Sequence, residues 1–235
     1  MNILVRKSGA RGQADHGWLK SRFSFSFSEY YDPEHMGFRC LRVINEDWIA
    51  PGGGFPTHPH RDMEIFTVLL EGTLEHRDSL GNGRQIKPGE IQLMTAGSGI
   101  THSEFNPSAT EAAHLLQIWI LPRARNLTPG YTDWKPASGL MDGPQTLIIS
   151  GDGREGSATI QQDVRIYRLS LPSGQGVTHP LESGRAVWLQ CLRGSGTCME
   201  VSFEQGDGVH SEDPGCLAIK ATSAGPLDAL LFDLP

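Results

Sequence analysis

Residues 52–72 read GGGFPTHPHRDMEIFTVLLEG and residues 95–106 read TAGSGITHSEFN. Each stretch carries metal-capable side chains at alternate positions: His58 and His60 in the first, His102 and Glu104 in the second. Residues i and i+2 of a β-strand point to the same face, so each pair projects together. Two such strands facing one another across a barrel would bring three imidazoles and a carboxylate to one point. That donor set accepts one divalent transition ion and leaves coordination positions open for solvent or substrate. Glu64, four residues beyond His60, has the same parity, so the residues alone leave either Glu64 or Glu104 as the carboxylate ligand. Pro59 adds to the ambiguity, because proline inside a strand invites a bulge. An HxH pair alone is a weak signal. The glycine-rich approach, the hairpin-rich spacer and GxGxxH followed two residues later by Glu make the combination specific.

Working outward, strand and turn signals recur every eight to twelve residues, which points to an all-β sandwich or barrel. FSFSFSEYYDP (residues 23–33) alternates strictly and reads as a strand with Phe23, Phe25 and Phe27 on one face. Residues 38–50 form a second β-like segment, and the glycines after Pro51 let the backbone pass close to a crowded site. EIFTVLLEGTLEHRD reads as two strands around a turn at Glu71-Gly72. SLGNG (79–83) marks a hairpin, and residues 85–95 repeat strand, turn, strand around Pro88-Gly89. HLLQIWILP (114–122) is an apolar strand, and residues 123–157 read as a long connection holding one strand, TLIIS.

A second β-rich half echoes the first. THPLESGRAVWLQCLRGSG (178–196) resembles THPHRDMEIFTVLLEGT, and QGDGV (205–209) resembles KPGEI. Echoes about 120 residues apart are the mark of a duplicated domain. The expected division is an N-terminal metal-binding domain over 1–122, a connection over 123–157 and a C-terminal domain over 158–235. In the second copy His179 matches His58, but Leu181 replaces His60 and the AIKAT segment offers no ligand. Any metal chemistry therefore belongs to the first half.

Other polar candidates have plainer readings. His76 and Asp78 share parity, but HRD beside a turn reads as solvated. HSE at 210–212 falls in a turn out of register with 102–104. His114 and Trp119 read as strand packing, His16 and His35 as loop residues. Phe55, Met94, Phe105 and Phe25 are candidates either for contact with a planar ligand or for the core.

Composition bounds the function classes. The 235 residues suffice for one large β domain or two small ones. A net charge of −7 argues against a broad nucleic-acid-binding surface. No apolar run reaches membrane-spanning length, and the N-terminus lacks a signal-peptide core. Cys40, Cys191, Cys198 and Cys216 have no CxxC spacing, which reads as reduced thiols in a cytoplasmic protein.

HPHRDMEIFTVLLEG followed by GSGITHSE is similar to the pirin family of the cupin superfamily. The resemblance runs from SRFSFSFSEYYDPEHMGF through the HPHRD segment, and the second half is similar to the family's degenerate second cupin domain. It implies a bicupin, two face-to-face jelly-roll-like β-barrels in one chain. Two positions depart from the general cupin pattern: Gly72 arrives one residue late, and Gly97 stands where proline is usual. Carried over by position, the resemblance implies His58, His60, His102 and Glu104 as metal ligands and leaves Glu64 behind them. It implies iron first, with Ni, Cu, Mn, Co or Zn as alternatives. The activity it implies is a quercetin 2,3-dioxygenase: O2-dependent opening of a flavonol heterocycle with release of carbon monoxide, Glu104 serving as base. The alternative it implies is a metal-bearing regulator acting through protein contacts. We expect a monomer.

Overall fold

The structure, a computed structural model, describes residues 1–235. Apart from three one-turn 3₁₀ helices, every regular element is a strand. Contacts divide the chain into two compact units that do not follow linear order. The N-terminal unit holds Gly12–Lys135 with Ala158–Gln162. The C-terminal unit holds Met1–Arg11, Pro136–Ser157 and Asp163–Pro235. This differs from a division at 122 and 158, and the reason lies in strand pairing. Leu4–Arg6 pairs with Gly208–Ser211, and buried Asp207 fastens it by accepting from Lys7 Nζ at 2.8 Å and the Ser8 amide at 2.7 Å.

In the N-terminal unit a seven-stranded antiparallel sheet runs in the order Gly130–Trp134, Ile91–Thr95, Glu64–Glu71, Ala113–Ile120, Leu41–Ile49, Leu19–Phe23, Gly12–Asp15. A four-stranded sheet runs Gly54–His60, Ile100–Phe105, Leu74–Asp78, Gly83–Ile86. No strand pairs one sheet to the other, so the unit is a two-sheet jelly roll and not a closed barrel. The two sheets meet in a core where Leu19, Ile49, Leu69, Ala113 and Leu115 pack with Leu74 and Ile86 of the smaller sheet. Each leucine or isoleucine among them contributes about 1.5–3 kcal/mol by leaving water.

The C-terminal unit repeats this plan. Its small sheet has the order Gly176–Leu181, Gly215–Ala221, Ser195–Cys198, Val201–Glu204, position for position the order of the first. Its large sheet includes Leu4–Arg6, Gly208–Ser211, Ala186–Arg193, Leu227–Leu234, Arg165–Leu171 and Gln145–Ser150 in that order. The duplication read from two faint echoes is thus present strand by strand.

Two local expectations fail. The alternating FSFSFSEYYDP segment is not a strand beyond Phe23; the chain turns back on itself after it. Ser26 explains the turn: its hydroxyl donates to the Asp32 carbonyl and accepts from the Asp32 amide, and its own amide donates to the His35 carbonyl. Local polar bonds replace a ladder. The 123–157 connection also holds a second strand, Gly130–Trp134, which covers the edge of Ile91–Thr95. All four cysteines are free, and no helix is long and apolar enough to cross a membrane.

Candidate metal centre

The small sheet of the N-terminal unit carries the site. On the Ile100–Phe105 strand, His102 lies between His58 and Asp78 of the flanking strands, and Glu104 lies between Phe55 and His76. Between these two rows the register slips. The extra residue falls in the Pro56-Thr57 stretch rather than at Pro59, so His58 and His60 keep a common face. Gly54 permits the close approach, since a Cβ there would stand 2.4 Å from the Glu104 carbonyl oxygen. Gly97, where cupins place proline, has φ +47°, a value proline's ring forbids.

Three imidazoles converge. The His102 Nε2 atom is 2.9 Å from His60 Nε2 and 3.1 Å from His58 Nε2. Their outer nitrogens decide what the inner ones offer. His58 donates from Nδ1 to the Pro56 carbonyl at 2.8 Å, which in the neutral ring leaves a lone pair on Nε2. Asp78 accepts from His76 Nε2 at 3.4 Å, so His76 Nδ1 accepts from His102 Nδ1 at 3.2 Å. His102 is thereby left with a lone pair on Nε2 as well. Burial, then His58, pushes His60 down to about 4. Burial, then His60, His58 and His76, pushes His102 down to about 2. Lone pairs of His58 and His102 directed at one point, with His60 Nε2 beside them, are a good arrangement around a cation. The donor set therefore fits a transition metal.

Glu104 sits on the buried side of this cluster and accepts from Gln117 Nε2 at 2.7 Å, while Thr67 holds Gln117 through a 3.1 Å bond. It groups with His76 and His102, whereas His58 and His60 group with His102 alone. Burial raises the Glu104 carboxyl above its usual range, opposed by His76, Gln117, His58 and Thr67.

Glu64 is elsewhere. It is fully buried and accepts from Thr95 Oγ1 at 2.9 Å and from the Gln161 amide at 3.2 Å. Its hydrogen bonds reach no histidine, and its strand belongs to the large sheet while His60 belongs to the small one.

His76 and Asp78, read as solvated, are instead the histidine's support: His76 is 1% exposed, and Tyr131 stacks on it at 5.0 Å. The available signal was their shared parity opposite the HxE pair, which register alone reveals. Trp119, read as packing, faces His60 edge-on at 4.9 Å and Phe27 at 5.4 Å. His114 does pack on its strand, stacked on Trp48 at 4.5 Å and bonded to Glu46 at 3.0 Å.

The cluster opens into a cavity of about 370 Å³ lined by Phe23, Phe27, Phe55 and Trp119, by Ser21, Asn45, Asp47 and Gln117, and by His16 at its mouth. Such a volume and lining suit a small aromatic ligand. Of the four apolar candidates only Phe55 lines it. Phe25 and Met94 are core, and Phe105 is 37% exposed.

The C-terminal unit offers no equivalent. His179 faces Leu217 where His58 faces His102, and Leu181 belongs to the core. His179 Nδ1 accepts from Gln145 at 3.2 Å, and its Nε2 is 3.4 Å from buried Asp233.

Residues 4–120 match the pirin family, and residues 147–234 match the quercetinase C-terminal cupin domain. The chain belongs to the pirin family. This pirin-family chain is 47% identical over 233 residues to the quercetin 2,3-dioxygenase of Escherichia coli K12, covering 99% of each. It is 38% identical over 211 residues to a pirin-like protein of Caulobacter vibrioides, covering 89% of this chain and 90% of that one. Among solved structures, the bacterial pirin YhhW of Escherichia coli in complex with nickel(II) superposes with a TM-score of 0.94 at 46% identity, over 100% of this chain and 99% of that one.

Proposed function

We propose that this pirin-family protein is a metal-dependent quercetin 2,3-dioxygenase, opening the heterocycle of flavonols with O2 and releasing carbon monoxide. The observation that carries the reading is the convergence of His58, His60 and His102 on one point at the end of an aromatic-lined cavity. It is joined by 47% identity to a relative bearing that activity's name. We assign His58, His60, His102 and Glu104 as the residues that hold the metal, iron first, with Ni, Cu, Mn, Co or Zn accepted by the same donors. When bound, that ion supplies a Lewis-acidic contact for a substrate oxygen.

The chain's own residues do the rest. Trp119, Phe27 and Phe55 form flat walls that hold planar rings in one orientation. Glu104, held beside the histidines by Gln117, accepts the proton of the flavonol 3-hydroxyl. Asp78 and His76 hold the His102 ring in one tautomer. We place the protein in the cytoplasm as a monomer.

The test is anaerobic purification, metal analysis and quercetin turnover with carbon monoxide detection, beside a Glu104→Ala variant. Stoichiometric metal with turnover that the variant loses supports the reading. Metal without turnover moves it to a pirin-type regulator working through protein contacts, and no metal after reconstitution removes it altogether.

A further inference from the structure

The cavity has a polar wall that the metal centre does not use. It comes from the large sheet, opposite in origin to the histidines. Asn45 and Asp47 lie two residues apart on Leu41–Ile49, so their side chains share the inward face. They stand in register with Phe23 and Ser21 on one side and with Gln117 and Leu115 on the other. Both line the cavity and are nearly closed to solvent, at 3% and 4% exposure.

Their hydrogen bonding is incomplete. Asp47 accepts one bond, from Ser21 Oγ to Oδ1 at 2.5 Å, which leaves Oδ2 without a protein partner. Asn45 makes no side-chain hydrogen bond, and its Oδ1 is shut in with nothing to accept from. Neighbouring Gln117, by contrast, is bonded at both ends, to Glu104 and to Thr67. Leaving a buried amide and a buried carboxyl under-satisfied is costly, and such groups are conspicuous where a ligand is meant to complete them. Around them the walls are aromatic: Phe23 and Phe27 have ring centroids 5.6 Å apart, and Phe27 meets Trp119 at 5.4 Å. A purely apolar ligand would fill the space and strand both polar groups. A planar ring bearing neighbouring hydroxyls would fill it and donate to both.

We propose that Asn45 and Asp47 form a hydroxyl-recognition subsite that binds the hydroxyl-bearing edge of a planar polyphenol, Asp47 Oδ2 and Asn45 Oδ1 each accepting a hydrogen bond from a phenolic hydroxyl. Ser21 is the positioning residue that fixes the Asp47 carboxyl. The assignment rests on the flavonol reading and adds to it which flavonols the cavity prefers: those hydroxylated on the rings beyond the 3-hydroxyl, because each unpaired polar group penalises the analogue that lacks a partner for it.

The experiment uses metal-loaded full-length protein, with wild type, Asn45→Ala and Asp47→Asn titrated against quercetin and against 3-hydroxyflavone. Binding is read from tryptophan fluorescence, and KM and kcat are read separately. Wild type is expected to bind quercetin about 10-fold or more tightly than 3-hydroxyflavone. Each variant is expected to shrink that ratio by about 3- to 10-fold, the value of one or two hydrogen bonds, with the change in KM rather than kcat. Metal content and far-ultraviolet circular dichroism check that the variants are folded and loaded. Equal affinity of wild type for the two flavonols, no binding of either, or variants that weaken both ligands by the same factor would overturn the subsite. Discrimination without turnover would leave the subsite standing and remove the dioxygenase reading, so the two failures are distinct.

Discussion

Glu64→Gln tests whether the buried carboxyl beside the 158–162 segment is neutral in the folded protein. Glu64 has no exposure. Its Oε2 accepts from Thr95 and from the Gln161 amide, while its Oε1 has no partner. Burial pushes its pKa from 4.5 to about 7, against the opposing pull of those two bonds. A raised carboxyl pKa means the unfolded chain ionises first. Below about pH 4.5 the acid is protonated in both states and there is no penalty. Between about 4.5 and 7 only the unfolded chain loses the proton, so folding stability falls as pH rises, then levels off above 7. At about 1.4 kcal/mol per pKa unit, the shift amounts to roughly 3 kcal/mol as an upper figure. Glutamine keeps the carbonyl that accepts from Thr95 and Gln161 and cannot ionise. The stability of the variant relative to wild type should therefore climb by up to ~3 kcal/mol between pH 4 and pH 8, a difference in which other titrating groups cancel. In urea unfolding followed by fluorescence it appears as a growing separation of midpoints, and in thermal scans as roughly 6–12 °C. A separation that stays constant with pH would refute the buried-neutral reading. One that reverses would mean the folded protein prefers the ionised acid.

Three other outcomes are expected. His76→Ala should weaken metal binding about 10- to 100-fold by freeing the His102 ring, measured by chelator competition, with His76→Gln recovering part of the loss; unchanged affinity would remove the Asp78–His76–His102 support. Gly97→Ala should destabilise the protein by about 2 kcal/mol or more, because its backbone has φ +47° and a Cβ would stand 2.1 Å from the Leu127 carbonyl oxygen; an unchanged unfolding midpoint would contradict this. His179→Leu should leave metal content at one ion per chain, since that histidine faces Leu217. A drop in metal by elemental analysis would show that the second unit contributes.

Much of this protein is written in its sequence because both its periods are short. The i, i+2 spacing of His58–His60 and His102–Glu104 puts each pair on one face whatever surrounds it, and glycines and prolines mark the turns that cut the chain into strands. The duplicated plan and the absence of ligands at Leu181 are legible for the same reason. What local pattern misleads about is what happens when hydrogen bonds close elsewhere. The FSFSFS segment alternates as a strand would, yet Ser26 ties itself to Asp32 and turns the chain. Leu4–Arg6 is placed by its pairing with a strand about two hundred residues later, a partnership invisible to any window. Parity alone would put Glu64 on the same face as His60, but the chain breaks between them and Glu64 opens a strand of the other sheet, where it faces Thr95, while Glu104 sits beside His76. His76 illustrates the division most plainly. Its sequence neighbours are polar and its turn is exposed, so local composition reads it as solvated. Its burial is decided by the strand next to it, and burial is what turns a histidine that composition places at the surface into the support of the His102 ring.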